Sequence, residues 1–124
     1  MNNDRLKFRT PWYLGDKFAG FQYWEFEHGR VKLIGDHWEP WVSKRDELTA
    51  RPDEQCTGLK DKNGDLIYAN DVCRVKVDSG GYVTVLVVWD GGAWRFQCGP
   101  WVKLMCFWNP DEIKIIGNVH EKDE

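Results

Sequence analysis

Between Thr57 and Val72 the chain carries two turn signals so close together that a hairpin-rich β fold is the natural way to accommodate them. The first is Asn63-Gly64, between Lys62 and Asp65. Both residues tolerate positive φ, so the pair is expected to form a tight hairpin turn. Leu66-Ile67-Tyr68 then reads as a short strand. Ala69-Asn70-Asp71 reads as a second turn, with Asn70 left-handed and Asp71 capping it through its side chain. Each residue of the block has a folding task. Gly58, Asn63 and Gly64 supply backbone freedom, and Leu59, Ile67 and Tyr68 supply core. Together with Thr57, Asp61 and Asp71 they form a device that sets strand register, since a slip of one residue would turn every side chain to the opposite face.

The rest of the chain has the same character. Arg5-Leu6-Lys7-Phe8-Arg9 alternates polar and apolar residues and reads as a half-buried strand ended by Pro11. Residues 19–27 read as a second strand, with Trp24 and Phe26 on one face and Glu25 and Glu27 on the other. His28-Gly29 turns the chain, and Arg30 to Ile34 returns with Val31 and Leu33 on one face. His37-Trp38-Glu39-Pro40-Trp41-Val42 reads as an aromatic loop held by its proline, and Ser43 to Glu54 as a loop with room for one helical turn. Further strands are expected at Val72 to Val77, Tyr82 to Trp89, Ala93 to Cys98, Val102 to Trp108 and Ile113 to Gly117. Glycine- or proline-containing turns separate them.

The expected fold is therefore all-β in two parts. Residues 5–55 form an N-terminal β-meander with an aromatic loop. Residues 56–120 form a small five-stranded barrel with Val83, Val85, Val87, Trp94 and Phe96 as core. Residues 121–124 are a frayed, charged tail.

Composition narrows the function classes. A chain of 124 residues can bury a core without disulfides or metal. The formal net charge of −3 argues against sequence-independent binding to phosphate backbones. The charge is uneven: Arg74, Lys76, Arg95 and Lys103 outnumber Asp78 and Asp90 between residues 72 and 108, whereas residues 109–124 are acidic. The start, Met1-Asn2-Asn3-Asp4, has no apolar signal region, and the longest apolar run is only Val85-Leu86-Val87-Val88-Trp89. No membrane association is expected. The four cysteines, Cys56, Cys73, Cys98 and Cys106, lack paired C-x-x-C spacing and are expected to be reduced, mostly buried thiols of a cytoplasmic protein.

Four blocks, in order along the chain, resemble the YopX-like family. Leu6-Lys7-Phe8-Arg9 is similar to its opening motif. Thr57-Gly58-Leu59-Lys60-Asp61-Lys62-Asn63-Gly64, with Ile67-Tyr68 and Asp71-Val72, is similar to its central signature. Val88-Trp89-Asp90-Gly91-Gly92-Ala93-Trp94 resembles its hydrophobic hairpin, and Ile116-Gly117-Asn118-Val119 its closing block. Departures occur at Thr10-Pro11-Trp12, at Ala69-Asn70-Asp71 and after Glu121. The resemblance implies a protein encoded by phages or prophages and working in the host bacterial cell. It also implies an SH3-like barrel in the C-terminal half, self-association into a homo-oligomer, and no enzymatic activity or cofactor.

No motif points to chemistry. His28, His37 and His120 match no metal-ligand spacing with Cys56 or Cys98, so no metal is expected. Gly80-Gly81 and Gly91-Gly92 lack the following helix that would make a phosphate loop. The eight tryptophans are the informative excess. Trp38, Trp41 and Trp101 sit in loop-like, proline-flanked stretches, where they plug the fold or form an exposed cluster that anchors a host or phage protein. Stacking of these rings on single-stranded nucleic acid is the alternative, with Arg74, Lys76, Arg95 and Lys103 contacting phosphates. The negative overall field favours the protein partner.

Overall fold

The computed structural model describes residues 7–43 and 45–121. Leu6 of the opening block and residues 122–124 of the expected frayed tail lie outside them. Among the described residues the chain is all-β, with eleven strands and single 3-10 turns as its only helical elements. It divides into two units, Met1–Cys56 and Thr57–Glu124.

The first unit is built on β1 (Lys7–Leu14), β2 (Lys17–Glu27) and β3 (Arg30–Trp38), three antiparallel strands in the order β3-β2-β1. Between β2 and β3 lies a two-residue turn in which His28 (φ 54°) and Gly29 (φ 75°) are both left-handed, as a mirror-image hairpin turn requires. Phe26 pairs with Val31 and Trp24 with Leu33, the shared faces expected from the alternation. Gly20 pairs with Trp38, and here the strands run so close that a Cβ would lie 2.3 Å from the carbonyl oxygen of His37. Only glycine fits.

The other side of β1 is shared. Phe8 and Arg9 pair with Gln55 and Glu54 at the start of β5 (Glu54–Lys60), and Trp12 and Tyr13 pair with Ala50 and Thr49 of β4 (Thr49–Ala50). β1 thus runs straight through Pro11, which was expected to end it. Pro11 falls in the gap between those two pairings, so its missing N–H costs no ladder bond on that side. Its carbonyl accepts from the Arg51 amide at 2.8 Å.

A buried ion pair fixes this junction. The Arg9 Nε donates to the Glu54 carboxylate at 2.7 Å, and the two side chains are 5% and 3% exposed. The same guanidinium stacks 4.1 Å over the Phe21 ring. Phe21 packs edge-on against Phe18 with centroids 5.0 Å apart.

The second unit holds β6 (Leu66–Tyr68), bonded to β5, and the antiparallel sheet β10-β9-β8-β7-β11. These five strands are β7 (Asp71–Lys76), β8 (Tyr82–Asp90), β9 (Ala93–Cys98), β10 (Trp101–Leu104) and β11 (Ile113–Asn118). The sheet is open: β10 and β11 lie at its two ends and do not pair with one another. One cluster forms the core, from Ile67, Cys73, Val75, Val85, Val87, Phe96, Met105 and Ile113. Val83 and Trp94 pack against it half-buried. The alternation of β7, β8 and β9 aims these residues inward, and each such side chain contributes about 1.5–3 kcal/mol on burial.

Asp61 ties this unit together. It is buried, 2% exposed. Its Oδ1 accepts from the amides of Asn63 and Asp65, each at 3.0 Å. Its Oδ2 accepts from the Ile115 amide of β11 at 3.1 Å. The loop it shapes is wider than the expected two-residue turn. Gly64 is left-handed (φ 83°) but Asn63 is not, because the carboxylate has taken over the ordering of the loop.

Other expectations are corrected. Leu59, placed in the core, is exposed. Gly58 at φ 85° breaks the alternation of β5, and the Thr57 hydroxyl accepts from the Leu59 amide at 3.1 Å. β3 extends to Trp38, so His37 and Trp38 belong to a strand and not to a loop. The strand expected at 102–108 ends at Leu104, where a 3-10 turn, Met105–Phe107, drops Met105 into the core. Cys56 and Cys73 are buried, but Cys98 and Cys106 are exposed.

Two stability measurements follow. Glu54→Ala strands the Arg9 charge in the first unit and should lower the unfolding free energy in urea by about 3–5 kcal/mol, largely restored when Arg9→Met is added. Asp61→Ala leaves three amides without their acceptor and should cost about 3 kcal/mol, with Asp61→Asn about half as damaging because one oxygen remains.

Candidate functional site

The second unit carries a groove of about 860 Å³ between the end of β7, the turn that follows it, β10 and the residues after β10. Its aromatic wall is built outward from the core. Phe96 is fully buried, and Trp108 packs edge-on against it with centroids 5.2 Å apart. Trp101 packs edge-on against Trp108 at 6.0 Å. Trp108 is held by its indole Nε1, which donates to the Lys76 carbonyl at 2.6 Å. Beyond these rings Phe107 stands 71% exposed, at the end of the 3-10 turn that buries Met105.

The charged rim is mixed. Lys76 and Lys103 line the groove with Asp78 and Glu112. The Glu112 side chain is fixed, accepting from the Asn109 amide at 2.9 Å while its own amide donates to the Asn109 carbonyl at 2.9 Å. The backbone turn at Val77 is closed by amide–carbonyl bonds with Gly80 and Gly81 at 2.9 Å. The floor is therefore rigid and apolar, and the rim offers both signs of charge. That combination can receive a ligand by shape and burial, with two lysines and two carboxylates at its edge.

The residues singled out from the sequence do not gather in one place. Trp101 and Lys76 share the groove. Trp38 and Trp41 belong to the first unit, each half-buried beneath a cation: Arg45 lies 4.7 Å over Trp38 and the Lys17 ammonium 4.2 Å over Trp41. Among the described residues the buried Trp38 Nε1 has no acceptor. Arg95 serves its own hairpin, its Nε donating to the Asp90 carbonyl at 2.9 Å across the Gly91-Gly92 turn. Arg74 is exposed and lies directly opposite Lys114 of β11 and Thr84 of β8, in a second, smaller hollow of about 260 Å³ that Lys62 and Tyr82 also line.

The signature residues are structural neighbours of the core. Thr57, Asp61, Ile67, Tyr68 and Asp71 are buried, and the Tyr68 amide donates to the Asp71 carboxylate at 2.8 Å. Asn70 is left-handed at φ 70°.

Sequence reading missed Phe107 and Trp108 as groove residues by counting them in a strand. The signal was there: Leu104-Met105-Cys106-Phe107-Trp108 is an unbroken apolar run ahead of Asn109-Pro110, and a strand with one buried face cannot hide all of it. Among the described residues no group of His, Cys, Asp or Glu could hold a metal ion. No helix there is long and apolar enough to cross a membrane.

One family model, described as YopX protein, matches residues 36–124. No curated protein matches the chain.

Proposed function

The chain belongs to the YopX family, and from that premise we propose that it is a phage or prophage accessory protein that acts by holding a segment of another protein, without catalysis, in the host bacterial cytoplasm. The single observation behind this reading is the exposed Phe107 beside the anchored pair Trp101 and Trp108. A protein leaves a large aromatic ring so exposed at little benefit to its own fold, whereas at an interface such rings supply most of the binding energy. The balanced rim of Lys76, Lys103, Asp78 and Glu112 suits a polypeptide with both charges better than a polyphosphate. The second unit is read as a strongly curled SH3-like barrel left open between β10 and β11. Support comes from its single core cluster, to which all of its sheet strands except β10 contribute a buried residue.

A second reading, single-stranded nucleic-acid binding, has one observation of its own. Lys114 and Arg74 are like charges placed directly opposite one another, which is mildly destabilising, and Lys76 follows on the same face beside exposed Tyr82. Asp111 and Glu112 line the same hollow and weaken its positive field.

Affinity capture from host cells checks the first reading. Phe107→Ala should lose the captured partner, or weaken it at least tenfold, with the melting temperature unchanged. Equal capture by wild type and variant would remove the groove from the function. Anisotropy of a labelled single-stranded oligonucleotide decides the second. No binding is expected even at low salt; binding that falls steeply with salt and is lost in Arg74→Ala would put nucleic acid in place of protein.

A further inference from the structure

The second unit leaves a group of cations without counter-charges. β7 carries Arg74 and Lys76 on its exposed face, and Lys114 of β11 lies directly opposite Arg74. The Lys62 amide donates to the Ile113 carbonyl at 2.8 Å, and Lys62 lines the small hollow together with Arg74 and Lys114. Lys103 of β10 lines the aromatic groove with Lys76. All five residues are exposed. Among the described residues none of the five has an ion-pair partner. The first unit treats its cations differently. Arg9 is held by Glu54, Arg45 lies 4.0 Å from Asp36, and Lys17 lies over Trp41.

The arrangement works against the fold. Like charges directly opposite one another on neighbouring strands repel. Both positions face solvent, and a glutamate at 114 would turn the repulsion with Arg74 into attraction.

The groove and the small hollow adjoin. Glu112 lines both, and Lys76 of the groove lies directly opposite Tyr82 of the hollow. Arg74 and Lys76 are two residues apart on β7, about 7 Å along the strand. Between them the two are lined by five cations and three carboxylates, Asp78, Asp111 and Glu112. Glu112 is already engaged, accepting from the Asn109 amide at 2.9 Å. The surface is thus locally positive on a chain whose formal net charge is −3, and the excess lies beside a wall of aromatic rings.

Exposed rings next to unpaired cations suit a ligand with both an apolar group and negative charge. A nucleic-acid strand carries a charge at every nucleotide, so its backbone would pass Asp78 and Asp111 as well as the cations. A polypeptide carries carboxylates only at chosen positions. An apolar side chain set against Phe107 and Trp101 leaves the next few residues of an extended segment over the hollow. There Arg74 offers a bidentate fork, and Lys62 and Lys114 offer point charges.

We infer that the segment held by the second unit is acidic: an apolar residue fills the groove, and carboxylates roughly two to four residues away meet Arg74, Lys114 and Lys62. This inference rests on the reading of the groove as the holding site, and adds the chemistry of what is held.

The test is a library of random short peptides displayed on yeast and sorted with the labelled full-length chain. Selected peptides should share an apolar residue with Asp or Glu close by. Lys114→Glu should keep the apolar preference and lose the acidic one. In anisotropy it should bind a selected acidic peptide at least tenfold more weakly than the wild type does. It should also melt no lower than the wild type, because it now pairs with Arg74; a lower melting temperature would mean that the lysine serves the fold, and would overturn the inference. Arg74→Gln is the second variant, expected to weaken the same peptide in the same direction. Peptides selected for apolar content alone overturn the inference and leave the groove standing as the holding site. Selected peptides that bind Phe107→Ala equally well, or no selected peptides, remove the groove and the inference together. An oligothymidylate bound more tightly than any selected peptide, and released by Lys114→Glu, would put nucleic acid in place of the acidic segment.

Discussion

The second unit depends on one carboxylate. Asp61 gathers two amides of its own loop and a third from β11, 54 residues away in sequence. An ionised carboxylate accepts at both oxygens and donates at neither, which is what three converging N–H groups require. Asparagine would bring donors of its own, and glutamate would set the group one methylene too far out. The Lys62 amide adds a bond to the Ile113 carbonyl at 2.8 Å, so the loop and the last strand are fastened at adjacent points. The distinctive Thr57-to-Asp71 block is thus a splice between the start of the unit and its end. In the first unit the Arg9–Glu54 pair has the corresponding task, fixing β1 to β5 through a buried contact between distant residues.

How far the fold could be read in advance depended on whether local chemistry decided the outcome. The β8–β9 hairpin was readable because Val83, Val85 and Val87 alternate and Gly91-Gly92 permits only a tight reversal; both glycines are left-handed. The His28-Gly29 turn and the faces of β2 and β3 were readable for the same reason. At Pro11 and Asn63 a distant partner overrode the local pattern. Pro11 stays in its strand because β4 and β5 leave a gap beside it. Asn63 is not left-handed because Asp61, itself oriented by β11, reorganises the turn. Leu59 is expelled because a left-handed Gly58 shifts the phase of its strand.

The candidate site was less legible than the fold. Trp101 and Lys76 were singled out, but the rings that complete the groove lay in an apolar run that resembles core. Only the 3-10 turn after Leu104 divides that run into a buried Met105 and an exposed Phe107. Trp38 and Trp41 were chosen on the same grounds as Trp101. Of their overlying cations, Lys17 comes from the start of β2 and Arg45 from the loop after β3, and composition does not disclose either contact.

The boundary between the two units falls inside β5, not in a linker. Its first residues, Glu54 and Gln55, bond to β1, and β6 bonds to the same strand. Severing the chain at that point would give each fragment a frayed stump where a complete strand should be. The halves are therefore poorly suited to being exchanged between genes as independent modules, and recombination that preserves folding would have to carry the shared strand whole.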